Sequence, residues 1–412
     1  MGRAFVSIQP VLRESTRSSV ALRPWRLAFV VPRYGAEIVG GAETLARAFA
    51  ENLPVERFEV EILTTCALDH HRWQNVLPAG EVRLGRTRVR RFPVSARDVE
   101  RFLRVQERIA AGIPVPVGEE LDWAAGSVNS EDLYSFLAAN AASYDALIFL
   151  PYLFGTTLLG AHVAPDRSLL IPCLHDEGFA YTATVRHLFR SVRGTIFNSA
   201  PERALAGRLY DVVADAPVVG MGFAASAPAN ASEFRKRHGI DGDYLLYFGR
   251  KEEGKNLPLL LDAFAACDRS RGLALVLAGD GSVGRDAPAG LVDLPRLDEH
   301  EKRAACAGAL AVCQPSTNES FSIVLMESWL EGTPVLVHGR CDVTRAHVSE
   351  AGGGLYFETA TEFAAEVDYL RTHVDVAEEM GRLGREYVRR SYSWERVTER
   401  FEAALRRWVG EP

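Results

Sequence analysis

No apolar run in the 412 residues approaches the roughly 18–20 needed to cross a bilayer as a helix. Met1 to Trp25 mixes Arg, Ser and Pro without a continuous apolar stretch. It therefore does not read as a signal peptide and is taken as a flexible extension. Cysteine is scarce: there are six, none forms a CxxC pair, and most sit inside apolar stretches such as LLIPCL and ALAVCQ. Buried free thiols in a reducing compartment account for them better than disulfides or zinc, which predicts a cytoplasmic protein. A basic excess is also missing, and the net charge of −7 argues against a nucleic-acid binder. The glycine fingerprint of dinucleotide sites, the P-loop and the GxSxG elbow are absent, and no His, Cys and Asp cluster has metal-ligand spacing. Asp241-Gly242-Asp243 looks like a metal-binding DxD, but it precedes a strand instead of ending one, so turn chemistry explains it.

What remains is globular composition, 47% hydrophobic and 25% charged, in a chain too long for one core. Short runs rich in Val, Ile, Leu and Phe recur at 27–32, 58–66, 89–94, 144–152, 168–175 and 194–199. A second set follows at 244–250, 273–281, 309–316 and 333–339. Runs that are apolar throughout suit strands covered on both faces, and their alternation with helical stretches predicts two parallel α/β units. The join falls after VVGMGF (218–223), where the chain turns rich in Ala, Ser, Pro and Asn. The expected domains are thus 26–223 and 224–391. A charged helical segment over about 95–143 interrupts the first, either as a lobe shaping a cleft or as decoration.

The segment PSTNESFSIVLMESWLEGTPVLVHG (315–339) carries the most chemistry. It reads as strand exit, loop, helix, glycine stop and next strand. Glu319 sits in the loop, Ser320, Phe321 and Ser322 open the helix, and Glu327 lies inside it. Free amides and the helix dipole at such a start attract phosphate. The helix is apolar on nearly every side, so Glu327 is costly there unless it has a partner. At about 1.5 Å per residue, a sugar at Glu319, a diphosphate at the amides and a ribose at Glu327 fit the length. The alternative leaves both glutamates as solvated charges. A second segment, YLLYFGRKEEGKNLPLLLDAF, ends a buried strand in Gly249 and Arg250, with Lys255 before the next helix. Two cations at the carboxyl end of a strand can neutralise a departing diphosphate in place of a metal. Its two acidic residues, Glu252 and Glu253, are expected to point to solvent. Gly279-Asp280-Gly281 closes a strand and shapes a turn near the same place. Near the N-terminus, Gly40-Gly41-Ala42-Glu43 opens a helix, where glycine lets a ligand approach the backbone or merely permits packing. His175 ends the run SLLIPCLH and faces the cleft of a parallel sheet, as a donor to substrate or as a satisfied structural side chain. Asp176 and Glu177 follow it, and nothing in the spacing singles out either carboxylate.

Together these residues resemble the family 4 glycosyltransferases, retaining enzymes with the two-domain GT-B fold. The resemblance rests on the ExxxxxxxE pair Glu319 and Glu327, the cations Arg250 and Lys255, the Gly-Gly-Ala-Glu loop and His175. The closing stretch 392–408 also looks like the family's last helix, which crosses back to the first domain. The resemblance implies two Rossmann-like domains facing a cleft, with a nucleoside-diphosphate-sugar donor held by the second and an acceptor by the first. Glu327 is then expected at the ribose, Glu319 at the donor sugar, and Arg250 and Lys255 at the diphosphate; His175 is read as a donor to the sugar or its phosphate. Gly41, Gly249, Gly279 and the Ser320–Ser322 stretch complete the donor site. The implied reaction retains anomeric configuration by front-face attack, without metal or cofactor, and with UDP-sugar ahead of GDP-sugar. Arg33, Glu43, Tyr152 and Thr156 are expected to line the acceptor side, for a glycan, lipid-linked or small-molecule acceptor. A basic cluster, Arg83, Arg86, Arg88, Arg90 and Arg91, either touches anionic lipid or forms a solvated strand face. The alternatives in function are a GT-B sugar-nucleotide epimerase and a non-catalytic sugar-nucleotide-binding protein.

Overall fold

A computed structural model describes residues 23–412, apart from 39, 71, 212, 213, 228, 271 and 285–287. Most of the expected N-terminal extension, residues 1–22, lies outside the described residues. The apolar runs build two sheets. The first contains β1 (Trp25–Val30), β2 (Phe58–Thr65), β3 (Gly80–Leu84), β4 (Thr87–Phe92), β5 (Ala146–Phe149), β6 (Ser168–Leu170) and β7 (Gly194–Thr195). Its order is β3-β4-β2-β1-β5-β6-β7, parallel except for the β3–β4 hairpin. The second contains β8 (Tyr244–Phe248), β9 (Ala274–Ala278), β10 (Leu291–Leu294), β11 (Ala311–Gln314), β12 (Val335–His338) and β13 (Gly354–Phe357). It is wholly parallel, in the order β10-β9-β8-β11-β12-β13. The three strands absent from the sequence reading, β3, β10 and β13, are the short or exposed ones at or near sheet edges, where no continuous apolar run is required.

In each sheet the strand order reverses at one point, between β1 and β5 in the first and between β8 and β11 in the second. Ligands of open α/β sheets bind outside the carboxyl ends of strands at such a reversal. The loops after β1, β5, β8 and β11 are therefore the natural walls of a site.

Residues 95–143 form three helices, α2 (Val99–Ala110), α3 (Val117–Gly126) and α4 (Glu131–Asn140), after the first-domain helix α1 (Gly41–Asn52). Arg101 pairs with Asp122 and Arg108 with Glu119, joining α2 to α3. Buried Glu120 accepts hydrogen bonds from the Thr184 amide and hydroxyl at 2.8 and 3.0 Å. The lobe thereby covers the carboxyl end of β5, where the Thr156 amide donates to the Val128 carbonyl at 2.9 Å.

The chain crosses between the domains twice, side by side. The Phe223 amide donates to the Tyr392 carbonyl at 2.8 Å, close to where helix α14 (Val374–Ser391) gives way to α15 (Trp394–Val409). With α5 (Gly155–Leu158), α6 (Ala183–Ser191), α7 (Ala200–Tyr210), α8 (Ala231–His238), α9 (Leu257–Ala265), α10 (Glu299–Gly308), α11 (Ile323–Leu330), α12 (Asp342–Ala351) and α13 (Ala360–Thr372), these complete the helices. The last helix, α15, packs on the first domain: the Phe401 ring lies 4.8 Å from Phe49 and 5.9 Å from Phe58, and Trp408 Nε1 donates to the Thr195 carbonyl at 3.1 Å.

An aromatic cluster sits beside the crossings. His347 on α12 is 4% exposed, lies edge-on to Phe321 and Tyr392, and has Nδ1 2.8 Å from the Tyr387 hydroxyl, which donates to Glu350. Burial depresses the His347 pKa to about 4. Its proton is then bound mainly by the unfolded chain, so stability is lost as pH falls from about 6.5 toward 4. His347→Gln is expected to flatten urea-melt stability between pH 6.5 and 5 by about 2 kcal/mol relative to wild type. Equal slopes for the two proteins would contradict this.

Candidate active site

The loops after β8 and β11 meet at the reversal point of the second sheet. After β8, the Tyr247 hydroxyl donates to the Arg250 carbonyl at 2.6 Å and fixes the turn. The loop after β9 presses against it: a Cβ on Gly279, at φ 143°, would lie 2.0 Å from the Gly249 carbonyl oxygen. Only glycine permits that approach. Asn256, in a left-handed conformation at φ 57°, donates to the Pro315 carbonyl at 3.0 Å and ties the Lys255 turn to the Glu319 loop. Across this join Lys255 Nζ meets Glu319 Oε1 at 2.8 Å, the two side chains being 26% and 12% exposed. Arg250 is paired with Glu252 at 3.0 Å. Glu252 pairs with the guanidinium two residues before it while its side chain stays 38% exposed, and Glu253 is exposed. Both cations are thus balanced by carboxylates of their own domain.

The helix after Glu319 opens two residues beyond Phe321, at Ile323, because Ser322 is left-handed at φ 66°. Ser322 and Phe321 are buried, Ser320 half-buried. Glu327 lies four residues into α11, about 6 Å along it. The partner that an apolar helix demands is Lys302 on α10, whose Nζ donates to Glu327 Oε1 at 2.6 Å and also meets Glu299 Oε2 at 2.9 Å. Burial pushes the Glu327 carboxyl up while Lys302 draws it back.

The first domain presents His175, half-buried and five residues beyond the end of β6. Its Nδ1 lies 3.6 Å from Glu177 Oε1, which also accepts from the Tyr152 hydroxyl at 2.8 Å. Burial alone would raise the Glu177 carboxyl, but His175, Tyr152 and the charge of Lys255 across the cleft hold it below the ordinary range. Asp176 turns outward and accepts from Tyr181 at 2.6 Å. The two carboxylates that the sequence left equivalent are therefore distinct, and Glu177 is the one at the cleft. Two further approaches span the domains: Arg250 Nη1 stands 3.4 Å from His70 Nε2, and the Ser320 hydroxyl acts on the Cys173 thiol. His175, Lys255 and Glu319 thus converge, with Arg250 on one flank and Glu327 deeper in the second domain.

Of the four expected acceptor residues, Arg33 reaches the cavity between the domains, while Glu43, Tyr152 and Thr156 are buried in the first domain. Arg33 and Glu43 form a buried pair at 2.6 Å, 7% and 8% exposed, with Arg33 stacked on Trp73 at 5.7 Å. A buried cation holds its carboxylate because separation would leave both desolvated. The glycine requirement in this loop falls on Gly40, where a Cβ would lie 2.1 Å from Glu43 Oε2. Gly41 faces open space with no atom within 4 Å of a Cβ. Tyr152 and Thr156 are fully buried rather than lining the cleft: the Tyr152 hydroxyl turns to Glu177, and the Thr156 amide is taken by the Val128 carbonyl between α3 and α4. An open cavity of about 390 Å³ does lie between the domains, walled by Arg33, Glu37, Leu68 and His70 on one side and by Arg250 and Asp280 on the other.

The basic cluster is not a free patch. Arg88 and Arg90 pair with Glu61 and Glu81, Arg86 donates to the Ala50 and Leu53 carbonyls, and Arg91 is buried. Among the described residues, the buried Arg91 Nε has no hydrogen-bond partner and Arg83 makes no ion pair. No helix of the described residues is long and apolar enough to cross a membrane.

Residues 230–387 match the family model of glycosyl transferases group 1. A glycogen synthase from Thermus thermophilus is 33% identical over 198 residues, 45% of this chain and 44% of that protein. A D-inositol 3-phosphate glycosyltransferase from Frankia alni is 33% identical over 165 residues, 34% of this chain and 40% of that protein. The chain therefore spans less than half the length of these relatives. Among solved structures, Anabaena HepE in complex with UDP and glucose superposes with a TM-score of 0.67 at 16% identity, covering 92% of this chain and 99% of that one. At that identity the likeness establishes the fold, the GT-B arrangement of two parallel-sheet α/β domains.

Proposed function

We propose that this chain, whose second domain is a glycosyl transferases group 1 domain, is a retaining hexosyltransferase that takes its sugar from a nucleoside diphosphate. The observation that carries the proposal is the convergence of Lys255, Glu319, His175 and Glu177 at the facing carboxyl ends of two parallel sheets. On this reading the donor diphosphate displaces Glu252 from Arg250 and Glu319 from Lys255, and sits against the first amides of α11. Two cations stabilise the charge that develops on the leaving phosphate, the role otherwise given to a metal. Glu319, released from Lys255, and His175 then hold hydroxyls of the donor sugar, and Glu327 holds the ribose. The acceptor enters the cavity between Leu68, His70 and Asp280. Its oxygen bonds to the anomeric carbon on the face the phosphate leaves, and its proton passes to the departing phosphate oxygen.

UDP-sugar is placed ahead of GDP-sugar, and the product in cell-surface glycan, glycolipid or secondary-metabolite synthesis. Cytoplasmic residence fits six unpaired cysteines. The proposal leaves out an anionic membrane, since three of the five arginines that suggested it are bonded within the fold and a fourth, Arg91, is buried.

The test is release of nucleoside diphosphate from UDP-, GDP- and ADP-sugars, with the configuration of the freed or transferred sugar followed by proton NMR. Release from one donor with retention supports the reading. An inverted product overturns the stereochemistry. Epimerised donor without release favours the epimerase, and bound but unreacted donor favours a binding protein.

A further inference from the structure

We infer that Lys302 is a positioning residue for the nucleoside half of the donor, acting through Glu327 on the ribose. The inference rests on the donor-site reading above and adds a residue that the motif does not contain. Lys302 lies on α10, and its ammonium donates to Glu327 Oε1 at 2.6 Å and to Glu299 Oε2 at 2.9 Å. The two carboxylates hold it from either side, and its Nζ stands 6.0 Å from the Phe248 ring at the end of β8. Side chains of Lys302 and Glu327 are 20% and 22% exposed, so the pair sits at the rim of the second domain with one side open.

The bond occupies Glu327 Oε1 and leaves Oε2 without a partner among the described residues. A carboxylate pinned at one oxygen has a single orientation in which to offer the other to a pair of ribose hydroxyls. Charge-assisted hydrogen bonds of this kind are strong and directional. Without the ammonium, Glu327 would stand in an apolar helix with burial favouring its neutral form. A protonated carboxyl accepts ribose hydroxyls less well, so donor affinity should then fall as pH drops. The charged groups facing this carboxylate are Lys302 and, behind it, Glu299. A purely structural role is the competing reading, since the same bond joins α10 to α11.

Calorimetric titration separates these readings. The probes are UDP, GDP and ADP, each beside its 2′-deoxy and 3′-deoxy counterpart, with wild type, Lys302→Met, Lys302→Arg and Glu327→Ala. Glu327→Ala should weaken the preferred ribonucleotide and leave its deoxy counterparts little changed. Lys302→Met should show the same selective loss, about tenfold at pH 7 and larger at pH 6, while Lys302→Arg restores most of it. A selective loss in Glu327→Ala with none in Lys302→Met overturns the inference. An equal loss for ribose and deoxyribose in Lys302→Met also overturns it, in favour of packing. If Glu327→Ala itself shows no selectivity, the ribose reading of the site fails, and the inference with it.

Discussion

Lys255→Ala is expected to lower kcat for sugar transfer by about 100- to 1000-fold, with a much smaller change in KM for the donor. Lys255 bonds Glu319 of its own domain at 2.8 Å and acts electrostatically on Glu177 across the cleft. A group that meets the phosphate as its bond to the sugar breaks stabilises the transition state more than the bound donor. Removing it should therefore appear mainly in kcat. Lys255→Arg keeps charge but not the compact geometry of an ammonium, and should recover only part of the rate. Steady-state kinetics on the donor identified by product release decides the matter. A rise in KM alone would mean that Lys255 binds substrate and transition state equally.

Gly279→Ala is the second large effect, and it bears on the fold and the site together. A methyl at this position would stand 2.0 Å from the Gly249 carbonyl oxygen, and the backbone sits at φ 143°, which side chains rarely adopt. The loops after β8 and β9 would have to separate, carrying Arg250 with them. A loss of about 2–4 kcal/mol in folding stability is expected, together with loss of donor affinity beyond that in Arg250→Ala. Gly284→Ala serves as a control, because no atom lies within 4 Å of its Cβ. Its denaturant melt should match wild type to within about 0.5 kcal/mol. Similar melts for both variants would show that the loop contact is not needed.

The strands that could be read from the sequence are those whose two faces are both covered, such as LAFVV around β1 and YLLYF in β8. Burial on both sides writes an unbroken apolar run. In β3, with residues GEVRL exposed or half-exposed, one side meets solvent and the run disappears. The site followed a similar division. Glu327 stood out because a charge in an apolar helix is costly, but its partner 25 residues away depends on how α10 packs on α11. Asp176 and Glu177 carry the same charge side by side, and only the turn after β6 sends one outward and one toward Tyr152. Arg33 and Glu43, ten positions apart, looked available singly, yet the fold pairs them. Composition marks which groups need partners; the partner chosen is a property of tertiary packing.

The central claim is that the second domain holds a nucleoside diphosphate on Arg250 and Lys255. Calorimetric titration with UDP, GDP, ADP and their hexose conjugates, in the presence of a chelator, tests it most directly. Binding of one nucleotide series to wild type, abolished in the Arg250→Ala/Lys255→Ala double variant that still melts cooperatively, is the predicted result. Binding that survives the double variant, or no binding of any series at millimolar ligand, would contradict it.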